Sequence, residues 1–561
     1  MDLLSQSLVL ATLLLLAAGV AAGPARAQSA TGQAEYSVRG TVVDSISGQA
    51  VPHAMVTLSG DQATLTDGDG QFSFDNLNAG QYYISVSKPG FLGFGNTGGS
   101  RGPHMINGAN LGQNTPPHRL QVGPGMPGVT LRIAPAGIVA GQVTLSTSDP
   151  ADGIHINLYR RQMRNGHPLW ESVGETQTRS DGSFRFGNLA PGSYLLATHA
   201  SLDSPDASAN SRLPVWGYPP VYYPGVTDPG SAGVLALAAG QQAEADISIT
   251  RQQFFPVIAA VRSAEGQSPA NFEVLDISGH AAGLPVHYDN REQVVHASVP
   301  NGSWILEGRA FGRTMSFGRA QFLVASTPVA LALNLMEVLR IPVNIQREFT
   351  APNSPTTVYL PGVNLTVLSA EPFATGSVSG GMSQVPGSNG TAWAINLLEP
   401  GRFWVEASPT GEVYVGSITS GGVDLANNPL MVAPGSAPSP IEVTLRDDVG
   451  SITGQLNADA SGASANTSAP GVSAEVYAYA IPLFATPSPV PEGFLHSDGT
   501  FSIGNLAPGS YRVVACDTPQ QIDDHSPEGL AAWAGKGQTV TVDPNGTAHV
   551  TLDVIHSETS P

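Results

Sequence analysis

The sequence predicts an all-β protein, a tandem array of about five antiparallel β-sandwich domains. Three observations lead there. First, one phrase recurs with identical spacing: Asp69-Gly70-Gln71-Phe72-Ser73-Phe74-Asp75-Asn76-Leu77 through Gly80 and Tyr82, Asp181-Gly182-Ser183-Phe184-Arg185-Phe186-Gly187-Asn188-Leu189 through Gly192 and Tyr194, and Asp498-Gly499-Thr500-Phe501-Ser502-Ile503-Gly504-Asn505-Leu506 through Gly509 and Tyr511. Internal repetition fixes an architecture before any single motif does. Second, Phe-x-Phe and the segments beside it alternate apolar and polar residues, the period of a strand with one buried face. Third, 64 Gly and 45 Pro make up about a fifth of the 561 residues, which suits a turn-rich β protein and falls short of a disordered composition.

Each part of the phrase has a physical reason. Asp-Gly is a tight turn, because Asp bonds its own backbone and Gly accepts positive φ. The Phe pair follows as a half-buried strand. Asn-Leu-x-Pro-Gly is a second turn with Leu as an apolar plug, and the next strand begins at the Tyr. The expectation is a β-arch between two strands of an antiparallel sheet, with no catalytic constellation in it.

In chain order, Leu8 to Ala22 is apolar and Ala25-Arg26-Ala27 places small residues before Gln28, as in a secretory signal removed from the mature chain, although Asp2 leaves the first residues without positive charge. Some 15 apolar residues are short for a membrane span, and no other segment is long and apolar enough to cross as a helix. The only cysteine, Cys516, excludes an internal disulfide, which for an exported chain fits a bacterial envelope or secreted protein. Charged residues are 12%, about half the usual share, and the net charge of −20 is spread thinly. That argues against a nucleic-acid partner, which needs basic patches.

The first unit reads Val38, Gly40, Val42, Asp44, then Gly48, Val51-Pro52, Ala54, Val56, Leu58, then Thr66-Asp67, Gly70, Phe72, Phe74 and Asn76-Leu77. This pattern resembles the carboxypeptidase regulatory-like domain. The resemblance implies a transthyretin-like, carbohydrate-binding-like β-sandwich of about seven strands, an accessory module without activity of its own. It is strong over the first, second and fifth units and weak over the third and fourth. The whole arrangement resembles large secreted proteins with tandem regulatory-like domains in soil bacteria such as the acidobacteria.

The expected boundaries are 1–27 for the signal, 35–94 for the first sandwich, 95–128 for a Gly/Pro-rich linker or loop, 129–252 for the second sandwich, 253–336 and 337–446 for two degenerate ones, and 447–557 for the fifth. About 100 residues per unit is the size of an immunoglobulin-like sandwich. Pro256 to Val261 opens the third unit and Val299 to Trp304 is its worn turn; Leu339 opens the fourth, and Gly450 the fifth. The best helix is Pro527 to Trp533, with Ser526 as N-cap and Pro527 at the first helical position. Joints of four to six residues should give a chain of domains with limited bending and small, polar interfaces, loosest from Gly95 to Gly128.

Four stretches carry candidate chemistry. His525-Ser526-Pro527-Glu528 has the spacing of a zinc-peptidase motif, but a catalytic zinc needs a third ligand, and a helix cap explains the residues. Gly98-Gly99-Ser100-Arg101-Gly102 matches Gly-x-Ser-x-Gly without the strand and helix a nucleophile elbow requires. Asp67-Gly68-Asp69-Gly70 could start a calcium loop, but the corresponding Arg179-Ser180-Asp181-Gly182 and His496-Ser497-Asp498-Gly499 keep one Asp each, so the shared Asp is a turn former. Trp216, Tyr218, Tyr222 and Tyr223 lie among prolines and glycines and have two readings: an exposed platform for sugar rings or a peptide, or filler for the joint between the second and third units.

The sequence reading is therefore a non-catalytic array, secreted, periplasmic or on the outer cell surface, acting as a structural, adhesive or binding protein. The alternative is carbohydrate binding through Trp216, Tyr218, Tyr222 and Tyr223. No catalytic residue, metal or cofactor is expected, and the partners named are carbohydrate or an envelope protein.

Overall fold

The computed structural model describes residues 36–555 except 60–61, 94–117, 125–127, 165, 204–212, 264–267, 313–314, 351–361, 374–379, 386, 389–391, 434–438, 458–475, 496–498 and 517–519. The signal segment, the Gly98–Gly102 match, Asp498 and His496 lie outside the described residues. The chain is all-β, with Pro527–Ala532 as its one α-helix among the described residues. That helix starts as its sequence dictates: Ser526 Oγ accepts from Gly529 N at 2.9 Å, with Pro527 following.

Five cores form, one per unit, and one pairing scheme builds them all. The opening strand of each unit lies antiparallel to the strand of the repeated phrase and parallel to the unit's last strand. In the first unit Tyr36–Asp44 pairs antiparallel with Gln71–Leu77 and parallel with Val129–Pro135. In the second, Gly137–Leu145 pairs with Ser183–Leu189 and with Gln242–Glu244 and Ile247–Ile249. Gln252–Arg262, Leu339–Glu348 and Gly450–Leu456 do the same in the third, fourth and fifth. The third and fourth units thus share the topology whose sequence signature they have lost.

In the first and second units the phrase links two sheets, not two strands of one sheet as the sequence suggested, whereas in the fifth the strand Glu492–Leu495 pairs with both halves and joins them into one eight-stranded sheet. Ser183–Leu189 belongs to the sheet of Gly137–Leu145, whereas Gly192–Thr198 pairs with His155–Arg164 in the opposite sheet. Phe184 and Phe186 both enter the core, as do Phe72 and Phe74, and Phe501 and Ile503. A glycine on the opening strand faces each first Phe: Gly40 pairs with Phe72, Gly141 with Phe184, Gly454 with Phe501. A Cβ there would overlap that ring, at 2.1 Å from Phe501 Cζ in the fifth unit. The turn that crosses between sheets is held by the tyrosine four residues on, whose hydroxyl donates to the carbonyl of Asn78, Ala190 or Ala507. In the third unit Trp304 Nε1 donates to Pro300 O at 3.0 Å and takes that place.

Asn76, Asn188 and Asn505 have φ of 60°, 56° and 56°, and the ladder shifts register beside each. This is a bulge at a left-handed residue, which Asn tolerates and β-branched residues do not. Asn188→Val should destabilise the second unit by about 1–2 kcal/mol in thermal denaturation, and Asn188→Gly should be close to neutral. The third unit has no such shift: Phe254 to Ala260 pairs without interruption with Val294 to Pro300, and Val295, Ala297 and Val299 fill the core, with Ala259 opposite Val295 where the first, second and fifth units set Gly opposite Phe.

Two boundary expectations need correction. Of the stretch read as a linker, 95–128, residues His118–Val122 pair with Gly80–Ser87, and Val129–Pro135, assigned to the second unit, is the last strand of the first. The Gly and Pro residues around it masked two short alternating segments. The first and second units are then joined by Ala136 alone. Likewise Ser201–Leu202 and Val215–Tyr218, placed in the second unit, pair into the third unit's sheet along Gln252–Arg262.

The units are also not strung end to end with small polar contacts. The long hairpin His155–Arg164 and His167–Gln177 carries the second unit into three others. Tyr159, Leu195, Ala197 and Tyr222 form one buried cluster with Phe373 of the fourth unit. Trp170 N donates to Pro372 O at 2.8 Å, and Met163 N to Gln521 Oε1 of the fifth unit at 3.2 Å. Arg309 of the third unit holds Glu399 of the fourth with two hydrogen bonds, 2.7 and 3.1 Å, the bidentate form in which Arg and carboxylate bind best. Ala407 N meets Pro487 O at 2.8 Å between the fourth and fifth. Apolar rings on the outer faces of these sheets, which sequence alternation alone marks as solvent-facing, are what the joints bury.

Candidate functional site

The aromatic run divides in the structure. Trp216 is 47% exposed, with the Arg251 guanidinium 4.9 Å from its ring centroid and ion-paired to Asp203. Tyr218 and Tyr223 are half-buried against the second unit's core. Tyr222 is 3% exposed and donates its hydroxyl to Asp276 Oδ2 of the third unit. The four rings therefore do not form a single exposed platform, because the chain between the two units turns Tyr222 into the joint while Trp216 sits on a strand of the next sheet.

Around Tyr222 lies a buried polar group that includes His280, 2% exposed. His280 Nε2 is 2.7 Å from Tyr159 Oη, and Asn157 Nδ2 donates to that same oxygen at 3.1 Å. Asp276 turns its other oxygen to Ser278 and to His280 N. Burial depresses His280 to about 4 despite the nearby Asp276 carboxylate, and burial pushes both tyrosine hydroxyls above their ordinary range. At neutral pH the group is an uncharged imidazole between two phenols, closed by Phe373 at 5.1 Å. It holds units together and offers no open position to a substrate.

A second group lines an open cleft where the second, fourth and fifth units meet. His167, at the tip of the long hairpin, is sandwiched between Trp404 and His525, with ring centroids at 3.9 and 4.2 Å and planes within 7° and 8° of parallel. Burial, then the neighbouring His525, lowers His167 to about 4. Glu406 and Asp524 line the same cleft, and burial raises both carboxyls above their usual range. Carboxyls of raised proton affinity in a cleft are groups that acid–base catalysis can use. Here they flank a stack of rings that carries the joint. His525, singled out by the zinc-peptidase spacing, is thus a stacking partner next to the helix cap. The sequence carried no signal for His167, Trp404 or Glu406, since His167 sits on a strand of the second unit and Trp404 and Glu406 on one strand of the fourth.

The acidic turn at Asp67 is closed on itself: Asp67 Oδ1 accepts from Asp69 N and Gln71 N at 3.0 and 2.7 Å. Asp181 does likewise with Ser183 N at 2.9 Å, and its hydrogen bonds to Ser183 hold its carboxyl below the usual range. Among the described residues, one set of His and carboxylate side chains lies close enough to share an ion: His155, Glu175 and His199.

The recurring framework, the left-handed Asn and the turn-closing Tyr set the first unit beside known domains. Residues 37–98 match the family model of the carboxypeptidase regulatory-like domain. That carboxypeptidase regulatory-like unit continues in the structure to Pro135. No curated protein matches the chain. Solved structures similar to it include the Bacillus anthracis TIE protein, 9% identical over 75% of this chain and 74% of that one with a TM-score of 0.15. Others are the minor pilin GBS52 of Streptococcus agalactiae, 12% identical over 38% and 95% with a TM-score of 0.18, and the major pilin BcpA of Bacillus cereus, 10% identical over 55% and 98% with a TM-score of 0.12. Likeness this remote says nothing about activity.

Proposed function

We propose that the chain is a non-catalytic, exported scaffold, a structural or adhesive protein of the cell surface or envelope. The observation that carries this reading is the use of its chemistry-bearing side chains. Tyr159, Tyr222, His280, His167, His525 and Trp404 are spent on joints between units. A protein that must hold surface in a fixed arrangement needs such joints; a catalyst would need those groups facing substrate. The regulatory-like first unit and the apolar segment before Gln28 agree with export.

The test has two arms. Antibody labelling of intact source cells should find the chain outside the cytoplasm. A screen of the purified chain against peptide, ester and glycoside substrates should show no turnover. Turnover abolished by Glu406→Gln or Asp524→Asn would overturn the reading. Carbohydrate binding stays attached to Trp216, the exposed member of the aromatic run. A glycan array read with the parent and with Trp216→Ala decides it, since retention lost in the variant supports that alternative.

A further inference from the structure

We propose that His155, Glu175 and His199 form a binding site for a divalent transition-metal ion of the zinc type, at the rim of the joint between the second and third units. The fold brings them together from three neighbouring strands. In the antiparallel register Gln177 stands opposite His155 and Glu175 opposite Asn157, so all four side chains share a sheet face. His199 follows the strand on the other side, and its N–H donates to His155 O at 2.9 Å. The opposite face carries Ile154, Ile156 and Leu158 into the core. The ligand-bearing face is therefore the one turned toward the third unit, which covers Tyr159 and leaves His155 at the edge.

Their geometry suits an ion. His155 Nδ1 is 2.8 Å from Glu175 Oε1, the two imidazoles lie within 12° of parallel at 5.9 Å, and one ligand atom from each residue falls within 4.8 Å of the others. The third unit closes on the His199 ring at Gly283, where a Cβ would come within 2.6 Å of that side chain. Asn157 steadies the ring from the other side, with Nδ2 at 2.8 Å from Nε2. The Asn157 oxygen is buried and has no hydrogen-bond partner among the described residues, and a water carried by the ion would supply a donor. The Gln177 amide rests against the His155 ring and would be displaced or join the shell. Two imidazoles and a carboxylate leave an open coordination position, the donor set that nitrogen-preferring ions such as Zn²⁺ or Co²⁺ take.

The experiment uses the full chain freed of metal with a chelator. Titration with Co²⁺, followed by visible absorption, should show one equivalent bound with low coordination number, and Zn²⁺ should displace it. Glu175→Gln and His155→Asn, both at exposed positions, should each weaken Zn²⁺ binding in calorimetry by about tenfold or more. They should also abolish the rise in melting temperature that Zn²⁺ gives the parent. Each variant is compared with its own melt in chelator, so a folding defect is separated from loss of the ion. Absence of Co²⁺ or Zn²⁺ binding, or binding unchanged in both variants, would overturn the proposal.

Discussion

Phe184→Ala should destabilise the second unit by about 3–5 kcal/mol, the cost of a large core cavity. Phe184 is 4% exposed and lies edge-on to Phe186 at 6.1 Å. It faces Gly141, a position where a Cβ would lie 3.1 Å from its ring and 2.2 Å from Ala245 O. Glycine leaves no side chain to refill the gap, so the site cannot collapse onto the missing ring. The loss is a large part of one domain's stability. Its reach should be wider than that of Phe72→Ala in the first unit, because the second unit's hairpin contacts the third, fourth and fifth. Calorimetry should show a broad shift of the main transition for Phe184→Ala and a confined one for Phe72→Ala. A parent-like melt for Phe184→Ala would refute the packing described.

Acid should loosen the joint between the second and third units. His280 titrates near 4 when docked, facing Asp276, Tyr159, Tyr222 and, farther off, His199. Released, it returns toward the ordinary histidine value near 6.5. Between those values the released form binds a proton that the docked form does not, so docking strengthens as pH rises. The contribution is complete above about pH 6.5 and lost as pH falls to about 4, on the order of 2–3 kcal/mol. At the cleft the signs conflict. His167 behaves like His280, whereas the raised carboxyls of Glu406 and Asp524 favour the docked form in acid. The readable slope is therefore that of His280. Melting temperature followed from pH 7 to 4 should fall more steeply in the parent than in His280→Gln, and equal slopes would count against the buried-imidazole joint.

What was legible in the sequence follows from how local each feature is. The Phe pair, the Asn-Leu turn and the Tyr that opens the next strand lie within one short phrase, so three of the five units and the inward face of their Phe pairs were plain in the sequence. The helix at Pro527 was legible for the same reason, through Ser526. The third unit was faint because its ladder runs without the bulge, which removes the need for Asn and lets Val and Ala replace the Phe–Gly fit. The strand His118–Val122 was hidden among turn residues. The joints were illegible because they are long-range: Tyr159 and Phe373, or His167 and His525, belong to strands whose alternation reports only that they face away from their own cores. Of the aromatic run, Trp216 and Tyr222 were indistinguishable by composition, and only the pairing of Val215–Tyr218 with the next unit separates them.

The central claim is that the second to fifth units are one docked body organised by the hairpin from His155 to Gln177. Small-angle X-ray scattering of the chain at pH 7 tests it most directly. The expected result is a compact distance distribution with a single main peak, broadening as pH falls toward 4. An elongated profile at pH 7 with the separate spacings of five beads on a string would contradict it.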